Sequence, residues 1–180
     1  MNDVEDRTET GTWEDILRPG LDVVFVGYNP SLPAWRTGHH YANPGNRFYR
    51  LLHESGLTPR LLLPSEDRLL PDFGIGATDL LPLPSARADL VLSARFREAA
   101  PQMREKLRLF SPRVVCCNGV GVHRHLVGTA PIGLGLQTVA FEHSALFVVP
   151  STSGLCNGRA AQRLAAFRSL AAWLADHRDR

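Results

Sequence analysis

Val23-Val24-Phe25-Val26-Gly27-Tyr28-Asn29-Pro30-Ser31 is the stretch that decides the fold. Four consecutive apolar residues, mostly β-branched, run without alternation into a glycine. A short continuous apolar run of this kind reads as a strand buried on both faces, as in a parallel sheet covered by helices. After the glycine comes a polar amide next to a proline. A turn there needs only Gly and Pro. An Asn made rigid at the mouth of a sheet has something to touch.

Outside this stretch, strand-like and helix-like segments alternate. Val114 to Cys117, Leu136 to Phe141 and Leu146 to Val149 read as further strands, and Ile75 to Leu80 as a strand or strand-like loop. Trp13 to Leu17 reads as a short helical approach, Asn46 to Ser55 as a helix, and Leu61 to Leu70 as a weaker one. From Ser93, Phe96, Ala99, Met103, Leu107 and Phe110 recur at helical spacing, and Ser111-Pro112 stops the helix. Val120 to Leu126 and Arg159 to Ala175 complete the set. Strands alternating with helices imply a three-layer α/β/α sandwich with a central, mainly parallel sheet. Sites in such folds form where loops leave the carboxyl ends of strands. Two loops meet that rule: Gly27 to Ser31, and Pro150 to Arg159.

The chain has 180 residues, enough for one domain with a sizeable core. Residues 13–180 read as that domain, and 1–12 as a flexible acidic tail. No apolar run reaches the length of a membrane span, and the polar start lacks the pattern of a secretory signal. Cytoplasmic placement, with work at the nucleoid, is the expectation. Cys116 and Cys117 are adjacent in a buried strand and point to opposite faces, which suits neither a disulfide nor a metal. Lys106 is the only lysine, so the basic residues are nearly all Arg. That bias fits phosphate contact and fits a GC-rich genome equally well.

Three patterns fail as chemistry. Gly119 to His125 has a Gly-x-Gly after a strand, but His123 stands near the third-glycine position of a dinucleotide turn. His39-His40 and His123-x-His125 lack partners at metal-ligand spacing, so no metal is expected. Ser151 and Ser153 follow a strand, but the glycine-flanked nucleophile elbow is absent. A different constellation is coherent. Asn29 can accept a hydrogen bond from a water. Tyr41 offers a flat ring, and Leu155, after Gly154, an apolar tip on a polar loop. A water-holding amide, a stacking ring and an apolar wedge suit extraction of a base from a duplex.

At these residues the sequence resembles the mismatch-specific uracil-DNA glycosylases, bacterial relatives of thymine-DNA glycosylase, over about Asp22 to Leu174. Gly27-Tyr28-Asn29-Pro30-Ser31 is similar to the family's G-I-N-P-G. Thr37-Gly38, Tyr41-Ala42 and Asn46-Arg47-Phe48 match its T-G…F-A-x-P-x-N-R-F stretch. Gly74 to Leu81 matches its G-(V/T)-T segment, and Ser151 to Leu155 resembles its N-P-S-G-L.

The resemblance implies a monofunctional enzyme without metal or cofactor that hydrolyses the N-glycosidic bond of uracil, especially opposite guanine. Asn29 would aim the water. Gly27, Tyr28, Ser31, Tyr41 and Ser151 would form the base site, with the Tyr28 backbone N–H on uracil O2. Ser153, Gly154, Leu155, Asn157, Arg47 and Arg159 would contact DNA. The partner would be double-stranded DNA with G·U mismatches, or single-stranded DNA, bound by a monomer.

The sequence departs from the family at Ser31 for Gly, at Ser151-Thr152 for Asn-Pro, at Cys156-Asn157 for Ser-Arg, and at Asp79 for Lys. An amide in place of a carboxylate implies slow chemistry, because a general base is worth ~10²–10⁴-fold. Asp89, or Asp79, in the proline-rich segment after Thr78 would restore some of that rate; Asp89 is the sharper candidate. Two rival readings stay open: a hydrolase of small nucleosides, and a non-catalytic binder of damaged DNA.

Overall fold

The computed structural model describes residues 13–86, 91, 93–154 and 159–177. Five strands form one sheet: β1 (Val23–Gly27), β2 (Ile75–Asp79), β3 (Val114–Asn118), β4 (Gly135–Leu136) and β5 (Ala145–Val149). Their order is β2-β1-β3-β5-β4. β1 is parallel to β2 and β3, β3 is parallel to β5, and only β4 runs antiparallel. The α-helices among the described residues are α1 (Leu32–Thr37), α2 (Phe48–Glu54), α3 (Ser93–Phe110), α4 (Val120–Val127) and α5 (Ala160–Asp176). A 3-10 helix spans Pro64–Phe73.

β1 is buried along its whole length, and its side chains alternate between two cores. Val23 and Phe25 join α2, the 3-10 helix and α5 on one face. Val24 and Val26 join α3 and α4 on the other. Phe25 is the hub of the first core, edge-on to Phe48 at 5.1 Å and stacked with Phe167 at 5.5 Å. Cys116 faces that core and Cys117 the opposite one. The three-layer α/β/α sandwich expected from the sequence is the fold observed.

From β1 the chain crosses toward β2, and from β3 it crosses the other way toward β5. Connections that diverge from neighbouring strands leave a crevice at their carboxyl ends. The loops after β1 and β3 border that crevice, and the loop after β5 joins them.

Several local expectations need correction. Trp13 to Leu17 is an extended strap, not a helix: Ile16 and Ala77 exchange two backbone hydrogen bonds across the edge of β2. Apolar spacing over so few residues cannot tell the two apart. The expected Leu136 to Phe141 strand shrinks to β4, because its ladder with β5 ends at Leu136, with one further backbone bond from Gln137 N to Leu146 O. The weak helix begins and ends later than expected, at Pro64 and Phe73, and is 3-10 with Pro71 inside it. Asp79 is the last residue of β2, paired with Gly27, and not part of the loop beyond. α1 is an addition to the expected elements. Ser31 caps it, accepting from Ala34 N at 3.3 Å, with Pro33 in the first turn and Gly38 closing it at φ 72°. Among the described residues no helix is long and apolar enough to cross a membrane.

Candidate active site

A cavity of about 140 Å³ opens at the crevice. That is several times the volume a water molecule takes in the liquid, about 30 Å³. It is lined from β1 and its loop by Gly27, Tyr28, Asn29 and Ser31, and from the following segment by Tyr41. Asp79, Asn118, Ser151 and Ser153 come from the ends of β2, β3 and β5.

Asn29 is fixed through its amino group. Nδ2 donates to Ser85 Oγ at 2.7 Å and to Leu83 O at 3.0 Å. The backbone reinforces this seam, since Leu80 N and Leu81 N donate to Gly27 O and Tyr28 O. With both N–H donors committed, the amide oxygen remains as acceptor, and no described residue donates to it. An acceptor oriented in this way can hold a water.

Tyr41 has φ 57°, a left-handed backbone that side chains seldom adopt. Phe48 stacks on its ring, with the centroids 3.9 Å apart and the planes 28° apart. Its hydroxyl is buried without a properly aligned hydrogen-bond partner among the described residues. Burial, and then the neighbouring Asp79, hold that hydroxyl well above the ordinary phenol value, with Asn118 partly offsetting them.

Tyr28 turns its ring away from the crevice, onto Phe96 and His125. A Cβ on Gly121 would collide with the Tyr28 hydroxyl. The second glycine of the Gly119-x-Gly121 pattern is therefore packing space for Tyr28, and only the first, at φ 123°, serves the turn. The backbone of Tyr28 is the part available to a ligand. Ser31 lines the cavity, with its hydroxyl bound to the start of α1.

Asp79 is 5% exposed and lies against Gly27, where a Cβ would collide with its Oδ1. Its Oδ2 accepts from Trp13 Nε1 at 2.8 Å and faces His40 Nδ1 at 3.7 Å. Burial raises its carboxyl above the ordinary aspartate range, and His40 and then the Trp13 bond pull it back. The carboxylate brought to the cavity is therefore Asp79. Asp89 lies outside the described residues, as do Leu155 and Asn157.

The loop after β5 carries Ser151, Ser153 and Gly154 to the rim. A Cβ on Gly154 would lie 2.6 Å from Gly45 O, so glycine is required where this loop meets the Tyr41 segment. Arg47 and Arg159 are exposed at the starts of α2 and α5, away from the cavity lining. Trp13 and Asn118 also line the cavity, and neither is a candidate from sequence. Trp13 falls in a segment whose spacing suggests a helix, and Asn118 stands one residue past the apolar run of β3. Among the described residues no group of three His, Cys, Asp or Glu is arranged to hold a metal.

Comparison with known proteins gives two findings. The family described as the uracil DNA glycosylase superfamily matches residues 14–175. The fold is similar to a solution NMR structure from Methanosarcina acetivorans, provisionally assigned as a uracil DNA glycosylase. The TM-score is 0.53 at 20% identity, covering 89% of this chain and 97% of that one.

Proposed function

The chain belongs to the uracil DNA glycosylase superfamily, and from that premise we propose that it excises uracil from DNA, preferring uracil opposite guanine. The supporting observation is the geometry of Asn29: an amide pinned by its nitrogen, with no described residue donating to its oxygen, at the wall of a cavity that also holds Tyr41 and a carboxyl.

The base swings out of the helix and lies against Tyr41. A G·U wobble is less costly to open than a Watson–Crick pair, which supplies the preference. Breaking the C1′–N1 bond leaves positive charge on the sugar and negative charge on uracil. The Tyr28 backbone N–H meets the developing oxyanion. Asn29 Oδ1 orients a water toward C1′. As the new C1′–O bond forms, the water's proton passes to the Asp79 carboxylate. The uracil anion leaves and takes up a proton from solvent, Asp79 releases its proton to solvent, and free uracil and an abasic site result, with no covalent bond to the protein. Leu155 would fill the gap left in the duplex. Arg47 and Arg159 would contact phosphates, for a monomer working in the cytoplasm on nucleoid DNA.

The test uses labelled strands carrying U·G, U·A, T·G or single-stranded U, treated with alkali after incubation. Abasic cleavage should be fastest for U·G. Binding without cleavage would point to a non-catalytic damage binder, and turnover of free deoxyuridine instead of DNA to a nucleoside hydrolase. Either result overturns the proposal.

A further inference from the structure

The segment that leaves β5 toward the cavity rim, residues 150–153, has no regular secondary structure. Side chains from two other elements hold it. Asn118, the last residue of β3, is 6% exposed and faces Thr152 head-on. Its Nδ2 donates to Thr152 Oγ1 at 2.9 Å, and its Oδ1 accepts from Thr152 N at 3.0 Å. The carbonyl of Thr152 accepts from Arg47 N at 2.9 Å. From α5, the buried Arg163 donates through Nε to Ser151 O at 2.8 Å and through Nη2 to Ser153 O at 3.3 Å. Three consecutive residues are thus tied to β3, α2 and α5. Buried polar groups rarely go unpaired, and here a carboxamide and a guanidinium are both committed to one short loop.

We propose that Asn118 is a positioning residue. By engaging Thr152 with both polar atoms of its carboxamide, it sets residues 151–154 in the shape that meets DNA before DNA arrives. The clamp itself stands on geometry alone, and its effect on catalysis rests on the glycosylase reading. A preset loop loses less freedom on binding, so its benefit falls on recognition of the opened site.

The test uses the full chain with Asn118→Ala, Thr152→Val and Thr152→Ser. Each is followed by amide hydrogen exchange over 151–154 and by binding to a duplex with an abasic site and to an undamaged duplex. Asn118→Ala removes both bonds. It should speed exchange in this segment by about tenfold and weaken abasic-site binding by a similar factor, leaving undamaged-duplex binding and exchange in β1 as they were. Thr152→Ser keeps both bonds and should rescue both readouts to within about twofold. Thr152→Val keeps one bond and should fall between; if Asn118→Ala does not fold, Thr152→Val decides by the same two readouts. Unchanged exchange overturns the clamp. Faster exchange with unchanged abasic-site binding overturns the positioning role. A wild type that excises no uracil overturns the proposed function, and exchange alone then judges the clamp by the same criterion.

Discussion

In the proposed reaction two side chains, Asn29 and Asp79, take different tasks, and each has its own surroundings. Truncation of Asn29 removes the water's orienter together with its two bonds to Leu83 and Ser85, while the backbone bonds of Leu80 and Leu81 to Gly27 and Tyr28 still hold the seam. Asn29→Ala should lower single-turnover uracil excision about 10²-fold or more, since misplacing a reacting group by an ångström costs that much. Asp79→Asn should lower it further into the range of a lost general base, ~10²–10⁴-fold. The two carboxyl effects have opposite signs with pH. Burial raises the Asp79 carboxyl, so a rate that needs the carboxylate climbs as pH rises through that raised value and is level above it. Stability is full below the ordinary aspartate value, and part of it is lost as pH rises through the raised one. Asp79→Asn should flatten both the rate profile and the dependence of the urea midpoint on pH. That Asn29 and Tyr41 stand together at the crevice was legible in the sequence, because a rigid amide and a loop aromatic stand out locally. The burial of Asp79 was not, because it depends on Trp13, which lies 66 residues away.

At the level of elements, apolar runs and helical spacing identified β1, β3, β5, α2, α3, α4 and α5, since burial on both faces or on one stripe leaves a direct imprint. What escaped was decided by pairing partners. The strap at Ile16 is extended because Ala77 offers it a sheet edge. β4 is short because its only neighbour is β5. α1 did carry a readable signal, Ser31 followed by Pro33 and then Gly38, but too few apolar positions to show a period. Tertiary support for the site concentrates on β1. Phe25 is fully buried between the rings of Phe48 and Phe167, and Phe48 in turn backs Tyr41. Phe25→Ala should cost ~3–5 kcal/mol in urea unfolding, because the vacated volume cannot collapse between two rigid rings. At a temperature where the variant is still folded, its excision rate should also fall as Tyr41 loses its backing.

For the molecule as a whole, DNA affinity should be electrostatic and sensitive to salt. Arg47 is exposed and has no side-chain partner among the described residues. Arg47→Ala should weaken binding to damaged and undamaged duplexes alike and reduce the slope of log K against log salt by about one unit. A loss confined to the uracil duplex would instead assign Arg47 to lesion reading. The sheet also contains its own gauge. Cys116 and Cys117 sit back to back on β3, one sealed under each helical layer, and burial pushes the Cys117 thiol up to about 12. Neither sulfur meets a maleimide until its layer lifts. In a Cys156→Ser background, comparing the labelling rates of the two thiols would report whether the α2–α5 side or the α3–α4 side of the molecule parts first.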